Sequence, residues 1–252
     1  MEVLTVNVAT IPTTCLGSWS PGQTAPAFAQ DDLTACVANL RETACVVQET
    51  ATGRIGVGYG GQVGAADDTG YVWLASLPPT FPEWLGDRSF LAVHGVRFPY
   101  IAGEMANGIA TTAMVIAMGQ AGMLGFFGSA GLSPDRVAAA IDTIEAALGR
   151  DGAAYGVNLI HSPNEPLHEA RMVDLFLRRG VRRVSASAFM TLTPNIVRYA
   201  YTGLTEDAQG RIRRHNHVFA KLSRPEVARH FMSPAPVKML QALVTEGLLT
   251  EQ

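Results

Sequence analysis

The sequence predicts an α/β fold of the (β/α)8 TIM-barrel type, partial at about five strands and preceded by a small α+β lobe. Three observations carry this reading. From Phe98 onward, short apolar runs alternate with longer segments of helical periodicity, the pattern of parallel strands joined by crossover helices. The punctuation is regular: Ser133-Pro134, Thr193-Pro194 and Ser223-Arg224-Pro225-Glu226 read as helix starts, the last as a capping box, and Gly119, Gly149 and Gly180 read as stops. The residues before about 90 do not share the repeat.

In chain order, Phe28 to Leu40 reads as a helix, and Ala44 to Glu49, Arg54 to Val63 and Tyr71 to Leu77 as strands around glycine and Asp67-Asp68 turns. The proline-rich stretch Leu77 to Pro82 marks a boundary, giving a lobe over 1–90 and a barrel portion over 91–252. Within the lobe, Gly56-x-Gly58-x-x-Gly61 matches the dinucleotide-binding spacing. Its glycines continue to Gly64 and lead into no helix whose N-terminus could hold a pyrophosphate, so a glycine-rich strand or hairpin is expected instead.

The barrel portion opens on Phe98 to Ala102, a strand that meets Gly103, passes an Asn107-Gly108 turn and re-enters an apolar segment, Ile109 to Met118. Met123 to Phe127, Ala154 to Ile160, Val181 to Phe189 and His217 to Leu222 are the following strands. The helix after Ser133 carries Val137, Ile141, Ile144 and Leu148 on one face. The next carries Met172, Leu175 and Phe176, with Arg178 and Arg179 in the last turn, where cations suit the helix dipole.

Composition bounds the function. The 252 residues are 48% hydrophobic, ample for a core, and suit one large domain or a domain plus a smaller one. A net charge of −3 gives no electrostatic reason to expect nucleic acid. Cys15, Cys36 and Cys45 lack metal-ligand spacing and fit free thiols in a reducing compartment. Residues 1–14 lack the layout of a secretory signal, and no apolar run reaches membrane-spanning length. The expectation is a soluble cytoplasmic protein with neither membrane nor nucleic-acid partner.

Several residues could carry chemistry. Asn158 sits near the carboxyl end of an apolar strand, where a buried amide needs a partner: either a neighbouring barrel residue or the polar edge of a heterocycle such as a flavin, which can use donor and acceptor together. Lys221 ends the fifth strand, placed either to stabilise negative charge on a reduced flavin or simply to face water before the next helix. Ser185 and Ser187 alternate with Ala186 and Ala188, leaving one strand face small and hydroxylated, which suits a flat ring or tight packing. His161, His215 and His217 read by default as solvated loop histidines, with no spacing that marks a metal site. The runs Arg178-Arg179, Arg182-Arg183 and Arg211 to Arg214 read as solvated faces or as receivers of a nucleotide phosphate or an acidic partner.

The segments GEMANGIA (103–110), LGFFGSAGL (124–132), YGVNLIHSPNEP (155–166), SASAFM (185–190) and VFAKLSRPEVA (218–228) resemble the PfaD-type trans-acting enoyl reductases. These serve polyunsaturated-fatty-acid and trans-acyltransferase polyketide synthases and belong with the nitronate monooxygenase-like flavin barrels. The matches run in order from about Leu77 to Leu249 and cover the N-terminal part of the family. The resemblance implies an FMN-containing barrel in which hydride passes from NADPH through FMN to an enoyl thioester on an acyl carrier protein. It also implies that Ala102, Gly103, Glu104, Met105 and Asn107 lie against the isoalloxazine, that Asn158 bonds its polar edge, that Ser187 lines the site and that Lys221 faces the ring. The family's catalytic acid and FMN phosphate site are expected in a further C-terminal portion. The partners implied are the synthase modules, the carrier-bound substrate and that further half of the barrel. Two alternatives stand beside this reading, a nitronate monooxygenase-like flavin oxidase and a non-catalytic docking subunit of a split barrel.

Overall fold

A computed structural model describes residues 15–65, 70–149 and 154–251. The expectations for 1–14 and for the Asp67-Asp68 turn lie outside them. The chain divides into two compact units, Met1–Trp84 and Leu85–Gln252.

The first unit is an antiparallel sheet of five strands, β1 (Gly17–Ser20), β2 (Ala44–Glu49), β3 (Ile55–Tyr59), β4 (Gln62–Gly64) and β5 (Tyr71–Leu77), in the order β3-β2-β5-β1-β4, with helix α1 (Gln30–Ala38). The single strand expected over Arg54 to Val63 is two, broken at Gly60, whose φ of 62° only glycine adopts without cost. The glycine run serves Trp19, a fully buried side chain: a Cβ on Gly58 would stand 2.5 Å from its ring and one on Gly61 2.3 Å. The dinucleotide-like spacing is therefore the footprint of an indole packed on a hairpin. β1 was not read from the sequence, because four residues, Gly17 to Ser20, carry too little alternation.

The second unit alternates strand and helix: α2 (Ser89–His94), β6 (Ile101–Ala102), α3 (Thr112–Gln120), β7 (Leu124–Phe127), α4 (Pro134–Leu148), β8 (Tyr155–Ile160), α5 (Pro166–Arg179), β9 (Arg183–Ser187) and α6 (Pro194–Tyr201). A small hairpin, β10 (Thr205–Glu206) and β11 (Ile212–Arg213), precedes β12 (His217–Ala220), α7 (Pro225–Met232) and α8 (Val237–Thr245). β6, β7, β8, β9 and β12 form one all-parallel sheet in the order β12-β9-β8-β7-β6. This is the strand set and connectivity expected of part of a barrel.

Local chemistry explains the helix starts. Ser133 and Thr193 accept from the backbone N–H of Arg136 and Ile196, as expected of N-caps before proline. Thr111 does the same for Met114, so α3 begins at Thr112 rather than Ile109. The capping box expected at Ser223 does not form: α7 starts after Arg224 with no side-chain cap, and Pro225 takes the first position. One sheet face packs on α4, α5 and α6 through Val157, Leu159, Val184 and Ala186 against Ile141, Ile144, Val173, Phe176 and Ile196. The alternate residues point the other way, and the register aligns them in rows, with Asn158 beside Ser185 and Ser185 beside Phe219. At the amino ends of the strands, Arg183 donates to the carbonyl of His94, whose ring meets those of His217 and Phe219. α2 therefore belongs to this unit.

Candidate functional site at the strand carboxyl ends

The inward row ends in polar residues at the carboxyl ends of the strands, where α/β folds of this kind hold ligands. The β6–α3 loop folds back over the sheet. Its Met105 carbonyl accepts from Ala110 and lies so close to Gly128, just past the end of β7, that a Cβ there would stand 1.7 Å from it. Asn107 carries the turn with a φ of 56°, tolerated by asparagine, and donates its N–H to Ala130 in the next loop. This fold-back carries Glu104 across to the middle of the sheet.

There Glu104 Oε1 accepts from Asn158 Nδ2 at 3.2 Å and lies 2.9 Å from Lys221 Nζ. Asn158 Nδ2 also donates to the Ser185 carbonyl and to Ser187 Oγ, each at 2.9 Å. The Ser129 hydroxyl donates to the Asn158 carbonyl. Four residues singled out on four separate segments, Glu104, Asn158, Ser187 and Lys221, thus meet in one hydrogen-bonded cluster. Of the other residues carried over, Ala102 pairs with Gly125 in the sheet, Gly103 leads into the loop, Met105 is half-exposed, and Asn107 turns its side-chain oxygen against Gly131.

Burial differs sharply within the cluster. Asn158 is 2% exposed; the Glu104 side chain is 4% exposed and that of Lys221 56%. Glu104 Oε2 is buried with no hydrogen-bond partner among the described residues. Such an orphaned acceptor costs about 1–3 kcal/mol, more when charged, so the two donors on Oε1 are what hold the carboxylate there. The Asn158 amide is fixed in orientation, since the reverse would set its oxygen against a carboxylate and a backbone carbonyl, neither of which can donate. Its nitrogen is committed within the protein, and only Oδ1 remains to meet a ligand. The amide therefore offers an acceptor alone, where the sequence reading gave it donor and acceptor together. Ala188, just past Ser187, holds a φ of 62°, a strained conformation of the kind found beside binding sites.

A second network at the same rim was not read from the sequence. Glu169 of α5, 2% exposed, bonds His161 Nδ1 at 2.7 Å and accepts from the Thr193 hydroxyl, and the His161 ring stacks on Phe189. His161 also donates its backbone N–H to Ser187, tying this network to the cluster. It is not the solvated loop histidine expected, and no local spacing links His161 to Glu169 and Thr193. His217 is likewise half-buried against His94 at the opposite end of the strand; burial, then the nearby Arg183, lowers its pKa below the usual histidine range. The arginine runs are largely engaged within the unit: Arg179 with Asp142 and Glu145, Arg182 with Asn216, Arg211 and Arg213 both with Asp207. The β10–β11 hairpin lies in the α6–β12 connection, which enters β12 at its amino end, away from the cluster.

A parallel sheet whose inward row ends in this cluster defines an α/β protein with a candidate site on its strand-to-helix loops. Relatives sharpen the class. The chain is 48% identical over 168 residues to a polyunsaturated fatty acid synthase component of Thraustochytrium sp., covering 67% of this chain and 11% of that protein. It is 45% identical over 168 residues to polyketide biosynthesis protein PksE of Bacillus subtilis, covering 67% and 22%. The crystal structure of the enoyl reductase domain of MlnA, from the macrolactin biosynthesis cluster of Bacillus amyloliquefaciens, matches with a TM-score of 0.64 and 38% identity, over 66% of this chain and 38% of that one. No family model matches. Over the shared region the chain resembles these relatives, in line with the PfaD-type resemblance of its motifs, and it spans well under two thirds of their length.

Proposed function

We propose that this chain forms the first part of a trans-acting enoyl reductase of a polyunsaturated-fatty-acid or polyketide synthase. It would act in the cytoplasm with FMN and NADPH on an enoyl thioester held by an acyl carrier protein. The observation that carries this reading is the convergence of Glu104, Asn158, Ser187 and Lys221 at the carboxyl ends of the sheet.

The donor set suits an isoalloxazine. Ser187 Oγ already accepts from Asn158 and keeps its own hydrogen to donate, Asn158 Oδ1 is an acceptor, and the half-exposed Lys221 ammonium has further N–H groups to donate. Two donors and one acceptor match in number the two carbonyls and one N–H of an imide. The bound flavin would supply the two-electron chemistry between nicotinamide and the carbon–carbon double bond. The protein's own part is to hold the ring by Asn158, Ser187 and Lys221 and to back it with the β6–α3 loop from Ala102 to Asn107. The outer strands β6 and β12 each pair with one neighbour among the described residues, which suits continuation of the sheet by a further portion of the barrel.

The test is to purify residues 1–252, alone and mixed with the portion of a PksE-type protein that follows the matched region. Absorption spectra with FMN and NADPH oxidation with a crotonyl thioester are then recorded. The expected result is stoichiometric flavin and thioester-dependent NADPH oxidation in the mixture, with little of either for the chain alone. No flavin in the mixture, or NADPH oxidation driven by oxygen regardless of the thioester, would overturn the reading.

A further inference from the structure

Only two of the 19 cationic side chains in this sequence are lysines, Lys221 and Lys238, and one of them stands in the site. Its ammonium is 2.9 Å from a carboxylate that is 4% exposed and therefore poorly screened by water. The orphaned Oε2 shows that Glu104 has no other compensation: among the described residues, Lys221 is its one charged partner, and the second donor, Asn158, is neutral. Lys221 by contrast is more than half exposed, so its head can move between Glu104 and the mouth of the site. A lone lysine here would present a full positive charge to a ligand. The pair presents none.

We propose that Glu104 is the positioning residue and counter-charge of the site: it holds Lys221 by the ammonium and cancels its charge, so that the pair, not the lysine alone, sets how readily a bound flavin accepts electrons. This rests on the flavin reading above. Reduction adds negative charge to the ring, and a neutral pair favours that less than a free ammonium does. Glu104 itself, occluded from solvent, acts through Lys221 and Asn158.

The experiment compares the wild type, Glu104→Gln, Lys221→Met and the double variant. In the FMN-loaded preparation of the preceding test, the potential of the bound flavin is read by dye equilibration. Glu104→Gln frees one positive charge and is expected to favour reduced over oxidised FMN at least tenfold more than the wild type, a rise of about 30 mV for a two-electron couple. Lys221→Met is expected to lower the potential, and the double variant to return towards the wild type. A purely structural role would not move the two single variants in opposite directions; movement in the same direction, or none, overturns the proposal. Thermal melts of the flavin-free chain give a second arm. Lys221→Met strands a buried carboxylate and should lower the melting temperature, and adding Glu104→Gln should recover most of the loss. Failure to recover overturns the pair itself. Recovery with no flavin bound in any variant overturns the flavin reading, and the redox assignment with it, while leaving the pair established.

Discussion

Replacing Asn158 by its closest relative in shape should be worse than replacing it by an apolar residue. In the native cluster the amide nitrogen meets three acceptors, the nearest charged one being Glu104 Oε1 at 3.2 Å. Asn158→Leu forfeits these hydrogen bonds, about 1 kcal/mol each for neutral acceptors and about 1.5–3 for the carboxylate, partly offset by new apolar burial; the net cost is about 1–2 kcal/mol. Asn158→Asp forfeits the same donors and sets a second carboxylate against Glu104. At that separation the repulsion is about 5 kcal/mol at an effective dielectric of about 20, reduced by the nearby ammonium, so the net cost is about 3–5 kcal/mol. For a unit of this size each kcal/mol lowers the melting temperature by about 2–4 °C, giving a loss of about 10 °C or more for Asp and a few degrees for Leu. The Asp variant can relieve its repulsion by binding a proton that the unfolded chain does not hold. Its stability should therefore rise as pH falls from about 7 to 5 relative to the Leu variant. Melts at pH 7.5 and 5 check both points. An Asp variant as stable as the Leu variant at pH 7.5, or a gap that does not narrow in acid, would refute the geometry assigned to the cluster.

Gly128→Ala should displace the β6–α3 loop, because the added Cβ meets the Met105 carbonyl. The fold should survive while flavin affinity falls at least tenfold, read by fluorescence titration of the reconstituted protein. Tyr199→Phe removes a fully buried hydroxyl that donates to the Val181 carbonyl and leaves that oxygen less well satisfied; a loss of about 1–2 kcal/mol is expected by urea denaturation. His94 has its pKa lowered to about 4 by burial first, then by His217 and Arg183. The unfolded chain binds that proton below about 6.5 and the folded chain does not. Stability should therefore be full above about 6.5 and decline as pH falls towards about 4, and His94→Gln should flatten part of that decline in a pH series of melts.

The strand-to-helix repeat was legible because period and punctuation are local. The cap-and-proline pairs at Ser133 and Thr193 and the stops at Gly149 and Gly180 depend on residues within one turn, and the structure places helix ends there. β1, the β10–β11 hairpin and α2 were not read, being two to six residues long, too short for a period to show. α8 did carry apolar residues at helical spacing, Leu240, Leu243 and Val244, behind Pro236, a signal present and unused.

The sequence by itself determined the class of fold, the relatives, and the strand ends where polar residues interrupt apolar runs, Asn158 and Lys221 among them. It could not determine that Glu104 lies between those two, since 54 residues separate it from Asn158 and no periodicity links them. Nor could it decide that Asn158 offers only an acceptor, that the charge of Lys221 is cancelled, or that His161 closes on a buried Glu169. Each of these depends on which side chains the parallel register and the folded-back loop bring within about 3 Å, the reach of a hydrogen bond. That distance is a property of packing, and the residues that meet across it leave no trace in the order of the chain.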